Sequence, residues 1–169
     1  KTLIVEEGTS VISSNSFKGK KNFNHIKFPS SLERIGKNAF QGCDSLEEVR
    51  IPKGVFVEEE AFLGCKSLRN VVIEDDVKID MRAFRYCTAI DTIILAENDS
   101  LGYGVFEDIN PIKRLEIPRS TYVDMWGIPS DTTYYWGKEE DLFNKLNYFY
   151  KGTVLYVDGK KMGHNLVIP

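Results

Sequence analysis

The chain has 169 residues, 42% of them hydrophobic, enough for one or two domains with a sizeable core. Its net charge of -3 leaves no electrostatic footprint for nucleic acid, and its single basic cluster, Lys18, Lys20, Lys21 and Lys27, reads as a solvated face. No apolar run approaches the roughly 20 residues of a membrane-spanning helix.

In chain order, the first element is a strand at Leu3-Ile4-Val5, and the same wording then recurs along the chain. Phe17, Phe40, Phe62, Phe84 and Phe106 are 23, 22, 22 and 22 residues apart. Five residues before each stands Ile12, Ile35, Val57, Ile79 or Leu101. Three residues after the middle three come Cys43, Cys65 and Cys87, and six residues after every Phe come Phe23, Leu46, Leu68, Ile90 and Ile112. Each unit then closes on an alternating strand, such as Val49-Arg50-Ile51, ended by a proline that cannot extend an interior ladder. A fixed period of this length is the signature of a solenoid, one coil per repeat. Apolar residues at i, i+3 and i+6 from Phe40 to Leu46 predict a single 3₁₀- or α-type turn, and the residue five before each Phe predicts a second short strand. The fold class expected is α/β but strand-dominated, a solenoid of short strands and single helical turns over residues 1–118.

The unit Ile35-Gly36-Lys37-Asn38-Ala39-Phe40-x-Gly42-Cys43-x-Ser45-Leu46-x-x-Val49-x-Ile51-Pro52 resembles the BspA-like leucine-rich repeats. The likeness covers about residues 1–118, and it decays at Lys20, at Tyr86 where Gly is usual, and through Gly104-Val105-Phe106 with Asp108 and Ile109. It implies a right-handed superhelix and a secreted or surface-attached bacterial or protist protein, often linked to adhesion. The chain reads as a piece of a longer protein, so the lack of a visible signal peptide bears nothing on secretion.

Three cysteines 22 residues apart lack the short pairs of a zinc site, and His25 and His164 are distant from them in sequence. Neighbouring rungs have the spacing of a disulfide, but three thiols with parallel Cβ directions read better as small core residues. Two histidines leave little for general-base chemistry, Gly102-x-Gly104 lacks a third placed glycine, and Glu58-Glu59-Glu60 and Asp75-Asp76 read as solvated turns. The expectation is a non-enzymatic chain with no cofactor and no metal.

Two surfaces remain. The outward row of the strands is Lys27, Arg50, Val72, Ile94 and Glu116, flanked by His25, Glu48, Asn70, Thr92 and Arg114. Val72 and Ile94 place two apolar residues side by side on a polar sheet, which reads either as β propensity or as a partner-binding face. Residues 119–169 form the second unit, an aromatic-rich cap or junction. Ser120 caps a short helix with Tyr122, Val123 and Trp126, residues 128–131 read as a break, and residues 139–150 as an amphipathic helix. Leu155 to Lys160 reads as a hairpin with an Asp-Gly turn, and Leu166-x-Ile168-Pro169 repeats the strand wording. Trp126, Tyr134, Tyr135 and Trp136 are read as a cap over the solenoid end or as a glycan-stacking platform. The leading function is protein binding outside the cell or at its surface through the strand row; the alternatives are glycan binding by the aromatic junction and a structural spacer.

Overall fold

The computed structural model describes residues 1–116 and the backbone of three later strands. In chain order the strands are β1 (Thr2–Ile4), β2 (Val11–Ile12), β3 (His25–Lys27), β4 (Arg34–Ile35), β5 (Glu48–Ile51), β6 (Phe56–Val57) and β7 (Asn70–Ile73). Then come β8 (Lys78–Ile79), β9 (Thr92–Ile94), β10 (Ser100–Leu101), β11 (Arg114–Glu116), β12 (Thr133–Trp136), β13 (Val154–Val157) and β14 (Lys160–Met162). Odd and even strands separate. β1, β3, β5, β7, β9 and β11 stack in that order in one sheet, continued by β12, β13 and β14, and β2, β4, β6, β8 and β10 stack in a second. Every pairing within the coils is parallel, and the register joins residues one repeat apart, as in Val49↔Val71↔Ile93↔Leu115. Strand-to-strand pairing between successive coils, rather than within a coil, makes the chain a solenoid of about five turns.

The third wall of each coil carries the phenylalanine, and it is not a helix. Among the described residues no helix forms. Gln41 and Cys43 donate backbone N–H groups to the carbonyls of Asn38 and Phe40, three residues back, as single turns. The alternate N–H groups, those of Asn38, Phe40 and Gly42, leave the coil and donate to Glu59, Ala61 and Leu63 of the next one, at 3.4, 2.7 and 2.9 Å. A continuous helix needs all of these donors for itself. The backbone also turns left-handed two residues before each Phe (Asn15, Asn38, Glu60, Arg82, Gly104) and two residues after it (Gly19, Gly42, Gly64, Tyr86, Asp108). Those two positions bracket only three residues, too few for an α-helix with its bonds four residues back. The expected α/β class therefore reduces, in the described coils, to strands and turns.

The core is a set of parallel rows. The rings of Phe17, Phe40, Phe62, Phe84 and Phe106 stack with centroids 5.1, 5.1, 5.0 and 5.5 Å apart, near the spacing of adjacent strands. Phe40, Phe62 and Phe84 are fully buried, whereas Phe17, in the first coil, is half-buried. Ala39, Ala61 and Ala83 precede the central rings and are also fully buried, and Val105 takes that place before Phe106. Gly36 marks a tight place: a Cβ built on it would lie 2.6 Å from the Ser14 backbone nitrogen.

The cysteines belong to this core. All three are buried and unbridged. The Sγ of Cys43, Cys65 and Cys87 donates to the Phe17, Phe40 and Phe62 carbonyls of the preceding coil, each at 3.1 Å. The Phe40 carbonyl thus accepts the Cys43 N–H from its own coil and the Cys65 thiol from the next. Burial pushes the Cys43 thiol up to about 12, and the neighbouring Cys87 thiol, with burial, holds Cys65 well above the usual thiol range. Thiols held protonated in this way are poor nucleophiles and poor metal ligands.

Of the tail, Val157↔Lys160 register closes an antiparallel β13–β14 pair with two residues, Asp158 and Gly159, between the strands. The helices expected at 120–126 and 139–150, the break at 128–131, Trp126 and the final Leu166–Pro169 wording lie outside the described residues.

Candidate functional site: the outward row of the long sheet

Alternation along each strand decides which side chains reach the surface. In β5, Glu48 and Arg50 are exposed while Val49 and Ile51 are fully buried. The parallel register then carries each outward residue onto its counterpart in the next coil: Arg50↔Val72, Val72↔Ile94, Ile94↔Glu116. Lys27 lies two residues beyond the His25↔Glu48 pair, as Arg50 does on the other strand. The flanking row runs His25↔Glu48↔Asn70↔Thr92↔Arg114.

The row is graded in charge. Lys27 and Arg50 are exposed cations, Val72 and Ile94 are half-buried, and Glu116, also half-buried, is the acid at the far end, where it accepts from Arg114. One residue escaped the sequence reading. Ile4 pairs with Lys27 and is 69% exposed, the most exposed large apolar side chain described, so the row begins one rung earlier. The signal was present, since Leu3-Ile4-Val5 already reads as a strand of the same register and Ile4 is its middle residue.

Ion pairs link coil to coil beside this row. Arg50 Nη1 meets Glu74 Oε1 at 3.0 Å, the other Glu74 oxygen accepts the Lys53 backbone N–H at 3.2 Å, and Lys53 Nζ lies 3.3 Å from Asp76. The same arrangement recurs on the second sheet, where Glu58 takes Arg34 at 3.1 Å and the Lys37 N–H at 2.8 Å. Opposite charges 22 to 24 residues apart were the sequence signal for these contacts. Each pair is solvent-exposed, so its net contribution is small and is screened by salt. A groove of about 440 Å³ opens at the cationic end of the row, with Lys27, Arg50, Lys53 and Glu74 around apolar surface from Phe28 and Pro52.

The family described as "BspA type Leucine rich repeat region" matches residues 10–125 in six copies. The chain belongs to this family. No curated protein matches it. Among solved structures it is similar to a leucine rich cell surface protein from Faecalibacterium prausnitzii, at 24% identity and a TM-score of 0.49, over 56% of this chain and 31% of that one. It is also similar to a leucine-rich repeat protein from Bacteroides ovatus, at 19% identity and a TM-score of 0.40, over 92% of this chain and 55% of that one. The chain thus spans a third to about half of the length of these two proteins. Among the described residues, no helix is long and apolar enough to cross a membrane and no group of three or more His, Cys, Asp or Glu side chains is placed to hold a metal ion.

Of the aromatic candidates, Tyr134, Tyr135 and Trp136 fall on β12. Its backbone adds a further rung beside β11, with Leu115↔Tyr134 and Glu116↔Tyr135, and β13 adds another, with Tyr135↔Tyr156. Tyr135 therefore occupies the register position that continues the Val72–Ile94–Glu116 row.

Proposed function

We propose that the chain is a non-enzymatic interaction module, acting at the cell surface or outside the cell, that binds a protein partner through the outward row of the long sheet. The family supports an interaction or structural role, and the resemblance to BspA-like repeats supports the compartment. The observation that carries the reading is the pairing of Val72 with Ile94 between the cations Lys27 and Arg50 on one side and the acid Glu116 on the other. An apolar pair at the centre of a polar surface is where desolvation on binding contributes most. Residues 119–169 are proposed as the cap or junction after the coils.

The test is Val72→Lys with Ile94→Lys, compared with the wild type in capture of partners from host and bacterial extracellular material. The double variant is expected to lose the captured protein while unfolding at the same denaturant concentration. Equal capture by both proteins contradicts the reading and returns attention to Trp126 and Trp136 as a glycan site, or to a spacer role.

A further inference from the structure

The grading of the row says what kind of segment it fits. At the groove end three cations, Lys27, Arg50 and Lys53, face one carboxylate, Glu74. That carboxylate is already committed to Arg50 and to the Lys53 backbone, and Lys53 Nζ is committed to Asp76. Among the described residues the Lys27 ammonium forms no ion pair or hydrogen bond, so the groove carries a cation without a counter-charge beside apolar surface from Phe28 and Pro52. Two rungs further along the same row lies the apolar pair.

We propose that the row binds an extended protein segment that seats an Asp or Glu in this groove and a large apolar side chain over Val72 and Ile94. The inference rests on the function proposed above and names the partner's chemistry. Its spacing is a matter of geometry. From between Lys27 and Arg50 to between Val72 and Ile94 is two rungs, about 10 Å at the ~4.8 Å separation of neighbouring strands. An extended chain advances about 3.3 Å per residue, so acid and apolar residue stand about three positions apart. The exposed cation supplies the orienting charge, and the apolar pair supplies the buried anchor.

Selection of phage-displayed random dodecapeptides tests this on the immobilised 169-residue chain, on Lys27→Glu/Lys53→Glu, and on Val72→Lys/Ile94→Lys. Wild type is expected to enrich peptides with Asp or Glu about three residues from Leu, Ile or Phe, and their binding weakens as salt is raised. The charge-reversed variant is expected to bind these peptides at least about tenfold more weakly and to enrich Lys or Arg at the acid position instead. The inference is overturned if no peptide is enriched, if the enriched peptides lack the acid, or if the acid preference survives charge reversal. Acid-free peptides that still depend on Val72 and Ile94 overturn the inference alone. Peptides indifferent to Val72→Lys/Ile94→Lys overturn the binding face as well.

Discussion

The wall that carries the phenylalanines and the sheet that carries the outward row obey opposite rules. On the phenylalanine wall, the inward identities recur: the ring in all five coils, and the alanine before it and the buried thiol after it in the middle three. The left-handed backbone on either side recurs even where its residue changes. On the outward row, identity changes at every rung: Ile4, Lys27, Arg50, Val72, Ile94, Glu116. The backbone of that sheet is as regular as the wall, yet its surface is free to vary. The period writes the fold into inward and left-handed positions and leaves the outward ones free to vary.

The largest expected effect separates a central coil from the first one. Phe62 is stacked on both sides and fully buried, so Phe62→Ala is expected to cost about 3–5 kcal/mol. Phe17 has a stacked partner on one side and is half-buried, so Phe17→Ala costs clearly less. Urea titration of both variants checks the ranking, and equal losses contradict nearest-neighbour stacking.

A smaller effect comes from the turn between the sheets in the fifth coil. Asp99 is 2% exposed and accepts the Val77 N–H at 3.0 Å and the Ala96 N–H at 2.8 Å. Burial pushes its carboxyl up to about 6; the two N–H groups oppose that shift and Asp75 and Asp76 add to it. Its folded pKa lies above its ordinary value of 3.8, so the folded state holds this proton more tightly. The resulting stability is fully present below that ordinary value and is lost as pH rises through about 6. Chemical denaturation of wild type and Asp99→Asn between about pH 4 and 7 is expected to show a slope in the former that the latter lacks, on the order of 2 kcal/mol across the window. Identical slopes contradict it.

The smallest effect is purely backbone. Gly64 has φ +69° and nothing within 4 Å of a built Cβ, so Gly64→Ala meets no clash and pays only for the left-handed conformation, about 1 kcal/mol. Gly64→Asn is expected to cost less, because Asn tolerates that region better, and thermal unfolding resolves the order. Tyr86 shows that the same position accepts a large residue, its ring lying under the Arg85 guanidinium at 4.5 Å.

Much of this architecture was legible in the sequence, because a row of identical neighbours needs identical spacing. The stacked rings, the buried cysteines and the strand stack all correspond to residues 22 or 23 positions apart. The turn around the phenylalanine was legible only in part, for a physical reason: its bonds three residues back form, but no continuous helix follows. Apolar residues at i, i+3 and i+6 report which side chains share a face, not where alternate N–H groups go, and here half of them bond the next coil. Asn and Gly at the two flanking positions were the available sign of left-handed backbone, obscured where Glu60, Arg82 and Tyr86 take those places. The groove was not legible at all. It is lined by side chains from three successive coils, among them Phe28, Pro52 and Glu74, whose meeting no single repeat spells out.

The contrast between inward and outward positions is sharpest at two adjacent residues of β7. Val71 is fully buried and Val72 faces outward, with the same side chain on the same strand. Guanidinium denaturation of Val71→Lys beside Val72→Lys tests the contrast directly. Val72→Lys is expected to stay within about 0.5 kcal/mol of wild type. Val71→Lys places an unpaired ammonium in the core and is expected to lose several kcal/mol or fail to fold. Similar losses for the two variants would contradict the division between a wall that makes the fold and a row that is free to bind.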